Sequence, residues 1–345
     1  MIKTIQKAVK PVPPKLLVDT PNLSIMLPGA CNAKCEFCFW NRDQEANKFP
    51  MMNYAERLSG ILDALPLQFS QVSITGGEPT ISPVFDEVLE VLRERRKRFP
   101  KVVLTTNAVR LLKNENIINE VVDHINISRH HYSDTENRFI FKTNSVPSEE
   151  ELADIMNGNY GADICFNCVV APDVPSKFCE RFIDWAGDFG TIAATNFRIY
   201  HESMGDCNAQ KVFEKKYGST DASTCPVCKV LRMKVRGMQV NWKYSVLEPT
   251  QHWEGIYELV MQPDARLTAD WAGRLEVKPE EIQGGDVAKS NRELAEELIV
   301  LAKRLLDKDK SAKVGKGIKV SRSKFTPILK PSGGGCYSAS GGGCR

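Results

Sequence analysis

Residues 31–40 read Cys-Asn-Ala-Lys-Cys-Glu-Phe-Cys-Phe-Trp and follow closely on an apolar run, Leu23–Leu27. They place Cys31, Cys35 and Cys38 in a CxxxCxxC spacing on one short loop. Three thiolates so placed hold three irons of a [4Fe–4S] cluster and leave the fourth iron open to a small molecule. A structural zinc site would require four ligands, and ordinary buried thiols are the other alternative. The spacing favours the cluster.

Two further motifs follow strand-like segments. Gly76-Gly77-Glu78-Pro79 comes after Gln71–Thr75, and Thr105-Thr106-Asn107 ends a later segment. Together with CxxxCxxC, and with Phe37 before its last cysteine, these motifs resemble the radical S-adenosylmethionine (SAM) superfamily. The resemblance implies that the SAM amino group lies near Glu78, in a pocket shaped by Gly76, Gly77 and Pro79.

The resemblance also implies a chemistry. In this family the amino and carboxylate groups of SAM chelate the open iron, and an electron from the cluster cleaves the sulfonium. The resulting 5′-deoxyadenosyl radical takes a hydrogen atom from the substrate. The cofactors carry out the difficult step, while the protein provides orientation and excludes water. The expected cofactors are a [4Fe–4S] cluster and SAM, and the expected electron donor is a flavodoxin- or ferredoxin-type protein.

Composition narrows the class of protein. The chain has 345 residues, which is enough for one large domain and an extension. A net charge of +3 with 26% charged residues indicates neither a nucleic-acid nor a membrane partner. Apolar stretches of about 18 residues are missing, and residues 1–14 lack the long apolar core of a secretory signal, so a cytoplasmic location is expected. In that compartment the 11 cysteines are expected to be reduced thiols and metal ligands.

Strand-like and helix-like segments alternate along the first part of the chain, the pattern of a parallel α/β fold. The predicted strands lie near Leu23–Leu27, Gln71–Thr75, Lys101–Thr106, His124–Ser128, Asp163–Val170 and Asn196–Tyr200. The predicted helices are Tyr54–Leu65, Pro83–Phe99, Asn114–Val121, Ser148–Met156 and Pro175–Phe189. This pattern predicts six β/α units.

Within these strands, apolar and polar residues alternate. Val72 and Ile74 oppose Ser73 and Thr75, and the other predicted strands behave alike. Because side chains alternate between the faces of a strand, each strand has one apolar face for the helices and one polar face. A packed (β/α)₈ barrel fills its lumen with branched apolar residues, so a polar lumen predicts an occupied cavity. The resemblance independently implies an open (β/α)₆ partial barrel.

Loops at the carboxyl ends of the strands carry the active site in such barrels. The cysteine loop, the Gly76–Pro79 turn and Asn107 all fall at that rim. Further candidates for contacts with the ribose or carboxylate of SAM, or with the substrate, are Asn107, Ser128, His130, Asn167 and Arg198. Arg198 is attractive because a guanidinium pairs with a carboxylate through two hydrogen bonds.

Two other local patterns predict no metal site. His130 and His131 are adjacent, so on a strand they point to opposite faces and do not chelate together. Cys165 and Cys168 are likewise placed on opposite faces. Cys168 is expected to pack as a small apolar residue under a helix, while Cys165 faces the lumen.

Beyond the sixth strand the resemblance weakens. Val230–Val235 and Met238–Val246 alternate across Arg236-Gly237, which predicts a hairpin. A second hairpin is predicted from Ile256–Met261 and Ala265–Trp271. These segments loosely resemble the auxiliary-cluster extensions called SPASM or twitch domains. No cysteine occurs between Cys228 and Cys336, so a full two-cluster SPASM domain is not expected.

The C-terminal part predicts an amphipathic helix at Asn291–Leu306 and then a Gly/Cys-rich tail. The tail has three interpretations. It is a disordered tail or cloning remnant; it folds back so that Cys336 or Cys344 joins Cys225 and Cys228 around a second cluster; or it serves as a lid, a redox pair or a modified peptide. The predicted organisation is an N-terminal extension (1–20), the partial barrel (21–205), an extension with hairpins (206–310) and the tail (311–345).

The sequence therefore predicts a radical SAM enzyme that abstracts hydrogen from a peptide or protein side chain, because extensions with cysteines are typical of such members. A nucleotide substrate is the alternative, as in the molybdopterin-pathway GTP cyclase or the CTP-dehydrating members. A non-catalytic iron–sulfur redox sensor is the alternative from another class, but it would have no need of the Gly76–Glu78 pocket.

Overall fold

The structure is a computed structural model of the chain. It describes residues 16, 20–38, 53–65, 67–199, 207–221, 229–244, 256, 258–271, 273 and 275–282. The predicted helix at 291–306, the tail, and all four proposed ligands of a second cluster lie outside the described residues.

Six β/α units form the first part of the fold, as predicted. Their strands are β1 (Asn22–Leu27), β2 (Gln71–Gly76), β3 (Val102–Thr106), β4 (His124–Ser128), β5 (Asp163–Val170) and β6 (Ala194–Ile199). The helices between and after them are α1 (Tyr54–Ala64), α2 (Phe85–Glu94), α3 (Glu115–Val121), α4 (Asp134–Phe141), α5 (Glu149–Asn157), α6 (Ser176–Asp188) and α7 (Asn208–Tyr217). The sequence analysis did not predict α4 or α7.

Both predicted hairpins are present. The first joins β8 (Lys229–Val235) to β9 (Met238–Tyr244), and the second joins β10 (Glu258–Met261) to β11 (Leu267–Thr268); β7 (Thr220–Asp221) pairs with β8. Arg236 and Gly237 have φ values of 50° and 89°, which are the positive angles that a two-residue type I′ turn requires. Each hairpin contributes one strand to the barrel sheet, because β9 pairs in parallel with β6 and β10 pairs in parallel with β1.

The resulting sheet has the order β11-β10-β1-β2-β3-β4-β5-β6-β9-β8-β7. Strands β10, β1 to β6 and β9 run parallel. In the described part of the chain the edge strands β7 and β11 do not pair with each other, so the sheet stays open. The predicted open α/β partial barrel is therefore confirmed.

The hydrophobic core lies between the sheet and the helices. Alternate residues of each strand enter it, including Ile25, Ile74, Leu104, Ile127 and Phe166, each at most 1% exposed. The opposite face of the same strands is polar and forms the concave side of the sheet, as period-two alternation requires. None of the helices in the described ranges is both long and apolar enough to cross a membrane.

Candidate active site

The cysteine loop follows β1 and rests on the end of α4. The backbone N–H of Lys34 donates a 2.8 Å hydrogen bond to the carbonyl of Phe141, the last residue of α4. Cys35 is buried, whereas Cys31 and Cys38 are half-buried. All three cysteines pack against one small cluster that is formed by Ala33, Phe141 and Val146 together with Cys35 itself. The helix therefore supports the loop from below and leaves two of its thiols accessible.

The three thiols influence one another electrostatically. The pKa of Cys31 is raised to about 11, mainly by burial and to a smaller extent by the nearby Glu78 and Cys38. Burial also raises the pKa of Cys35, with contributions from Cys38 and Cys31. Opposing these effects, the N–H of Ala33 donates to the Cys31 sulfur at 3.4 Å. Cys31 and Cys35 are therefore protonated at neutral pH when no metal is bound, and binding to iron would release the protons.

The donor set fits an iron–sulfur cluster. Among the described residues no group of three or more His, Cys, Asp or Glu side chains converges on a single metal ion. A [4Fe–4S] cluster does not need such convergence, because each thiolate binds a different iron. Three neighbouring thiols that pack against one apolar cluster, two of them only half-buried, suit such a cluster.

Gly76 brings the second motif against the cysteine loop. It has a φ of 142° and pairs in register with Leu27, the last residue of β1. A Cβ at this position would lie 2.7 Å from the carbonyl oxygen of Leu27 and 2.9 Å from its nitrogen. Only glycine fits this conformation and this close approach. The ends of β1 and β2 are therefore held together just before the two motifs begin.

The Glu78 carboxylate is buried and accepts hydrogen bonds from two directions. Its Oε1 accepts from the Thr80 N–H at 3.1 Å, from the Thr80 hydroxyl at 2.7 Å and from the Thr106 hydroxyl. Its Oε2 accepts from the Asn107 N–H at 2.7 Å. Burial raises the pKa of Glu78, while these hydrogen bonds lower it. Since a carboxylate oxygen has two lone pairs, Oε2 can accept one more donor.

Asn107 connects this network to the cysteine loop. Its side-chain Nδ2 donates a 2.7 Å hydrogen bond to Oδ1 of Asn32, the residue after Cys31. Its Oδ1 accepts from the Val109 N–H at 3.2 Å. The Nδ2 of Asn32 is buried and has no hydrogen-bond partner in the described structure. Buried polar groups are normally paired, so this amide is a donor available to a ligand beside Cys31.

Phe37 and His130 form an aromatic contact beneath the loop. Their ring centroids are 4.8 Å apart with the rings nearly perpendicular, and His130 also stacks on Phe141 at 4.7 Å. The Nδ1 of His130 accepts from the Val169 N–H at 3.2 Å. Burial, with a smaller contribution from Arg129, lowers the pKa of His130 to about 3. His130 is thus a neutral ring that joins the cysteine loop to α4 and β5.

A row of asparagines lines the concave face. Asn241 donates to Asn196 at 2.8 Å, and Asn196 donates to Asn126 at 3.4 Å, so the row spans four neighbouring strands. Ser128 and Asn167 pair in register on β4 and β5 nearer the rim. The Oδ1 of Asn167 is buried and has no partner among the described atoms. The lumen is therefore polar, as the sequence predicted, and it has unused hydrogen-bonding capacity.

Charged groups face this lumen from the two flanks of the sheet. On one flank, Glu258 accepts from the Ser24 hydroxyl at 2.5 Å and from the Trp271 indole N–H at 3.1 Å. On the other, Arg198 and Lys243 are register neighbours on β6 and β9. Burial raises the pKa of Glu258, and its interaction with Arg198 across the open sheet lowers it.

The predicted site residues thus form three groups: those around the cysteine loop, those of the turn at Gly77 and Pro79, and those on the lumen face of the sheet. One group surrounds the cysteine loop: Cys31, Cys35, Cys38, Phe37, Gly76, Glu78, Asn107 and His130. Pro79 begins a short 3₁₀ turn that is N-capped by Glu78, and Gly77 precedes it. Ser128, Asn167 and Arg198 lie on the lumen face, apart from the loop network. Cys168 is fully buried in the core under α6, and Cys165 lies outside that core.

Sequence reasoning missed several residues of this region. Asn32, Thr80 and Thr106 complete the network around Glu78 and Asn107, while Glu258 and Lys243 line the lumen. Thr80 and Thr106 adjoin recognised motifs and could have been included on that ground. Glu258 could not, because nothing local indicates that β10 lies beside β1.

The sequence of this chain is similar to those of known proteins. Residues 25–185 match the family model described as "Radical SAM superfamily". Over 147 residues the chain is 32% identical to the GTP 3′,8-cyclase of Mycobacterium ulcerans (strain Agy99), which covers 41% of this chain and 38% of that protein. It is 25% identical over 174 residues to the GTP 3′,8-cyclase of Pasteurella multocida (strain Pm70), covering 48% and 50% respectively. The matched segments thus span half or less of these relatives.

Solved structures share the fold. SuiB of Streptococcus suis bound to S-adenosylmethionine superposes with a TM-score of 0.53 at 16% identity, covering 78% of this chain and 65% of that one. SuiB bound to its precursor peptide SuiA gives 0.50 at 16% identity, with 73% and 60% coverage. Identity this low shows similarity of fold alone.

Proposed function

Residues 25–185 form a radical SAM superfamily domain, and from that premise we propose that the chain is an enzyme that reductively cleaves SAM and abstracts hydrogen from a substrate in its lumen. One observation carries the proposal. The Asn107 side chain donates a hydrogen bond to Asn32 in the cysteine loop, and its backbone N–H donates one to Glu78. The cysteine loop and the proposed SAM pocket are therefore linked through one residue. A redox sensor would not require this connection.

Cys31, Cys35 and Cys38 would hold the cluster, which when bound supplies the electron that cleaves SAM to the 5′-deoxyadenosyl radical. Gly76 lies close against Leu27, and this contact keeps the Gly76–Pro79 turn beside the cysteine loop. Glu78 is kept in place by Thr80, Thr106 and Asn107, and its Oε2 has capacity for the ammonium group of SAM.

The remaining residues exclude water and orient the reactants. His130, Phe37 and Phe141 close the space beneath the loop with apolar surface. Met26 and Val260 pack against Cys38 and Trp271 on the side of β1 and β10. Substrate choice would then depend on the polar lumen face rather than on a general acid or base.

For the substrate, the lumen charges favour a nucleotide. Arg198 and Lys243 are adjacent cations on the concave face, and the asparagine row beside them offers paired donors and acceptors of the kind that bind bases and ribose. The similarity of part of the chain to GTP 3′,8-cyclases supports the same class. The peptide substrate that the sequence analysis preferred remains a prediction, as does a second cluster.

The central experiment is anaerobic reconstitution with iron and sulfide, reduction with dithionite and addition of SAM. We expect release of 5′-deoxyadenosine and about four irons per chain if only one cluster forms. Cys35→Ala should abolish both the binding of iron and the release of 5′-deoxyadenosine. The matched control Cys179→Ala, in the core on α6, should retain them. Full iron binding without 5′-deoxyadenosine would favour the redox sensor.

The substrate class is tested by equilibrium binding. GTP and CTP should bind the reconstituted protein, and Arg198→Gln should weaken them at least tenfold. Binding that is indifferent to this variant would contradict the nucleotide proposal. Peptides would then be the next class of substrate to test.

A further inference from the structure

The outer surface of α4 is unusual among the described residues. Phe139 is 77% exposed, whereas the other exposed large apolar side chains, Leu112, Val212 and Leu275, are 41–47% exposed. It borders a depression of about 630 Å³ whose lining, here named the α4 face, consists of Thr135, Arg138, Phe139, Lys142, Thr143 and Asn144. Aromatic side chains are enriched in protein interfaces relative to the rest of the surface, so the α4 face is a candidate contact surface.

The other side of the same helix supports the cysteines. Phe141 packs in the cluster with Cys35 and bonds to the Lys34 N–H through its carbonyl. Lys142 forms a 2.7 Å ion pair with Glu36, which lies between Cys35 and Cys38. Because a helix with its side chains is about 10–12 Å across, a molecule bound on the α4 face would lie within roughly that distance of the thiols. One-electron transfer is fast over such a gap.

Charge on the α4 face identifies the kind of partner. Its lining contains two cations, Arg138 and Lys142, and no carboxylate. The Lys142 side chain is still 47% exposed despite its pair with Glu36. The Nε of Arg138 is buried and has no hydrogen-bond partner in the described structure. Of the two acidic residues of the same helix, Asp134 is paired with Arg129, and Glu136 is exposed but does not belong to the lining. Arginine, like the aromatic residues, is enriched in protein interfaces.

We propose that the α4 face is the docking site for a small acidic one-electron carrier protein. The inference rests on the proposed function, because only a reductively activated cluster needs such a donor. In the docked complex the carrier loses one electron and the cluster gains one, with no proton or group transferred. Complementary charge brings the carrier to Arg138 and Lys142, and the Phe139 ring packs against it.

Binding provides the first test and does not depend on catalysis. Oxidised flavodoxin serves as the probe, and its dissociation constant for the reconstituted protein is measured by biolayer interferometry at low and high salt. Phe139→Ser and Lys142→Gln should each weaken binding at least fivefold, and added salt should weaken binding to the wild type. The matched control variants on α7, Val212→Ser and Lys215→Gln, should leave the dissociation constant unchanged. The proposal is overturned if the α4 variants and the α7 controls weaken binding equally, or if none of them weakens it.

The second test separates this proposal from the function on which it rests. With reduced flavodoxin as donor, Phe139→Ser should slow 5′-deoxyadenosine release at least fivefold; with dithionite it should match the wild type. Slower 5′-deoxyadenosine release by Phe139→Ser with both donors would overturn the docking proposal. No product from the wild type with either donor would contradict the proposed function itself. If sedimentation shows a wild-type dimer that Phe139→Ser dissociates, the occupant is a second copy of the chain and the carrier proposal fails.

Discussion

The side-chain amide of Asn107 donates a 2.7 Å hydrogen bond to Oδ1 of Asn32, and so ties the end of β3 to the loop that carries Cys31. The two residues are 75 positions apart in the chain. Asn107 also bonds to Glu78 through its backbone N–H. The cysteine loop is thus positioned by a residue that belongs to a different β/α unit.

Replacing Asn107 with alanine should therefore loosen the cysteine loop. Residues that orient metal ligands typically change metal affinity 10- to 100-fold, and we expect a loss of that order in iron retention against a chelator. The free energy of unfolding should fall by about 1–2 kcal/mol. Asn119→Ala is the control, because Asn119 also forms two hydrogen bonds, to Asn159 and Gly161, at an exposed site away from the loop. If both variants retain iron like the wild type, the positioning role is wrong.

Gly76→Ala should be strongly destabilising. The new Cβ would lie 2.7 Å from the Leu27 carbonyl, at a φ of 142° that alanine rarely adopts. Strain and displacement together should cost roughly 3 kcal/mol of unfolding free energy. Gly60→Ala, within α1 where nothing lies within 4 Å, should instead stabilise the protein by about 0.5–1 kcal/mol. Urea unfolding followed by circular dichroism measures both, and equal midpoints for the two variants would contradict the close-approach argument.

Glu78→Gln tests whether the carboxylate binds SAM as well as its own network. The amide group would face the Thr80 and Asn107 donors, so the free energy of unfolding should fall by about 1–3 kcal/mol. Removal of the negative charge should also weaken SAM binding roughly tenfold, since ionic hydrogen bonds are the stronger ones. Thr80→Val removes only the 2.7 Å hydroxyl bond to Glu78 and should lower stability while weakening SAM binding much less than Glu78→Gln does, because the bonds from Thr106 and Asn107 still hold the carboxylate. If the two variants weaken SAM binding equally, Glu78 has no role in binding beyond structure.

His130 should make the protein sensitive to acid. Burial lowers its pKa to about 3, below the ordinary value near 6.5. The unfolded chain therefore takes up a proton at a higher pH than the folded one. Its contribution to stability is complete above about pH 6.5 and is lost as the pH falls towards 3, at about 1.4 kcal/mol per pH unit.

The measurement compares wild type with His130→Gln, whose amide oxygen can still accept from the Val169 N–H. Between pH 6.5 and pH 5 the unfolding free energy of the wild type should fall by about 2 kcal/mol more than that of the variant. The difference should be constant above pH 7. Because all other titrating groups are shared, parallel curves over the whole range would show that His130 is not buried as a neutral ring.

The strands and most helices of the barrel could be predicted from the sequence because their signals are local. Period-two alternation located β1 to β6 to within two residues at each end, and the Arg236-Gly237 pair located the first hairpin. Helix α4 was missed because it is short and five of its eight residues, Asp-Thr-Glu-Asn-Arg-Phe-Ile-Phe, are polar. Contacts with the cysteine loop, rather than intrinsic propensity, explain its position.

By itself, the sequence determined the chemistry available to this protein: three thiols at a cluster spacing, a glycine pair before a glutamate, and strands with one polar face. These follow from residue type and short-range order, which folding does not change. Only the tertiary structure decided which groups meet. It placed Glu258 and Arg198 on opposite flanks of one lumen, joined Asn107 to Asn32, and set Phe141 beneath Cys35. Such pairings depend on the order and curvature of the strands, and these arise from long-range burial of apolar surface that no short stretch of sequence encodes.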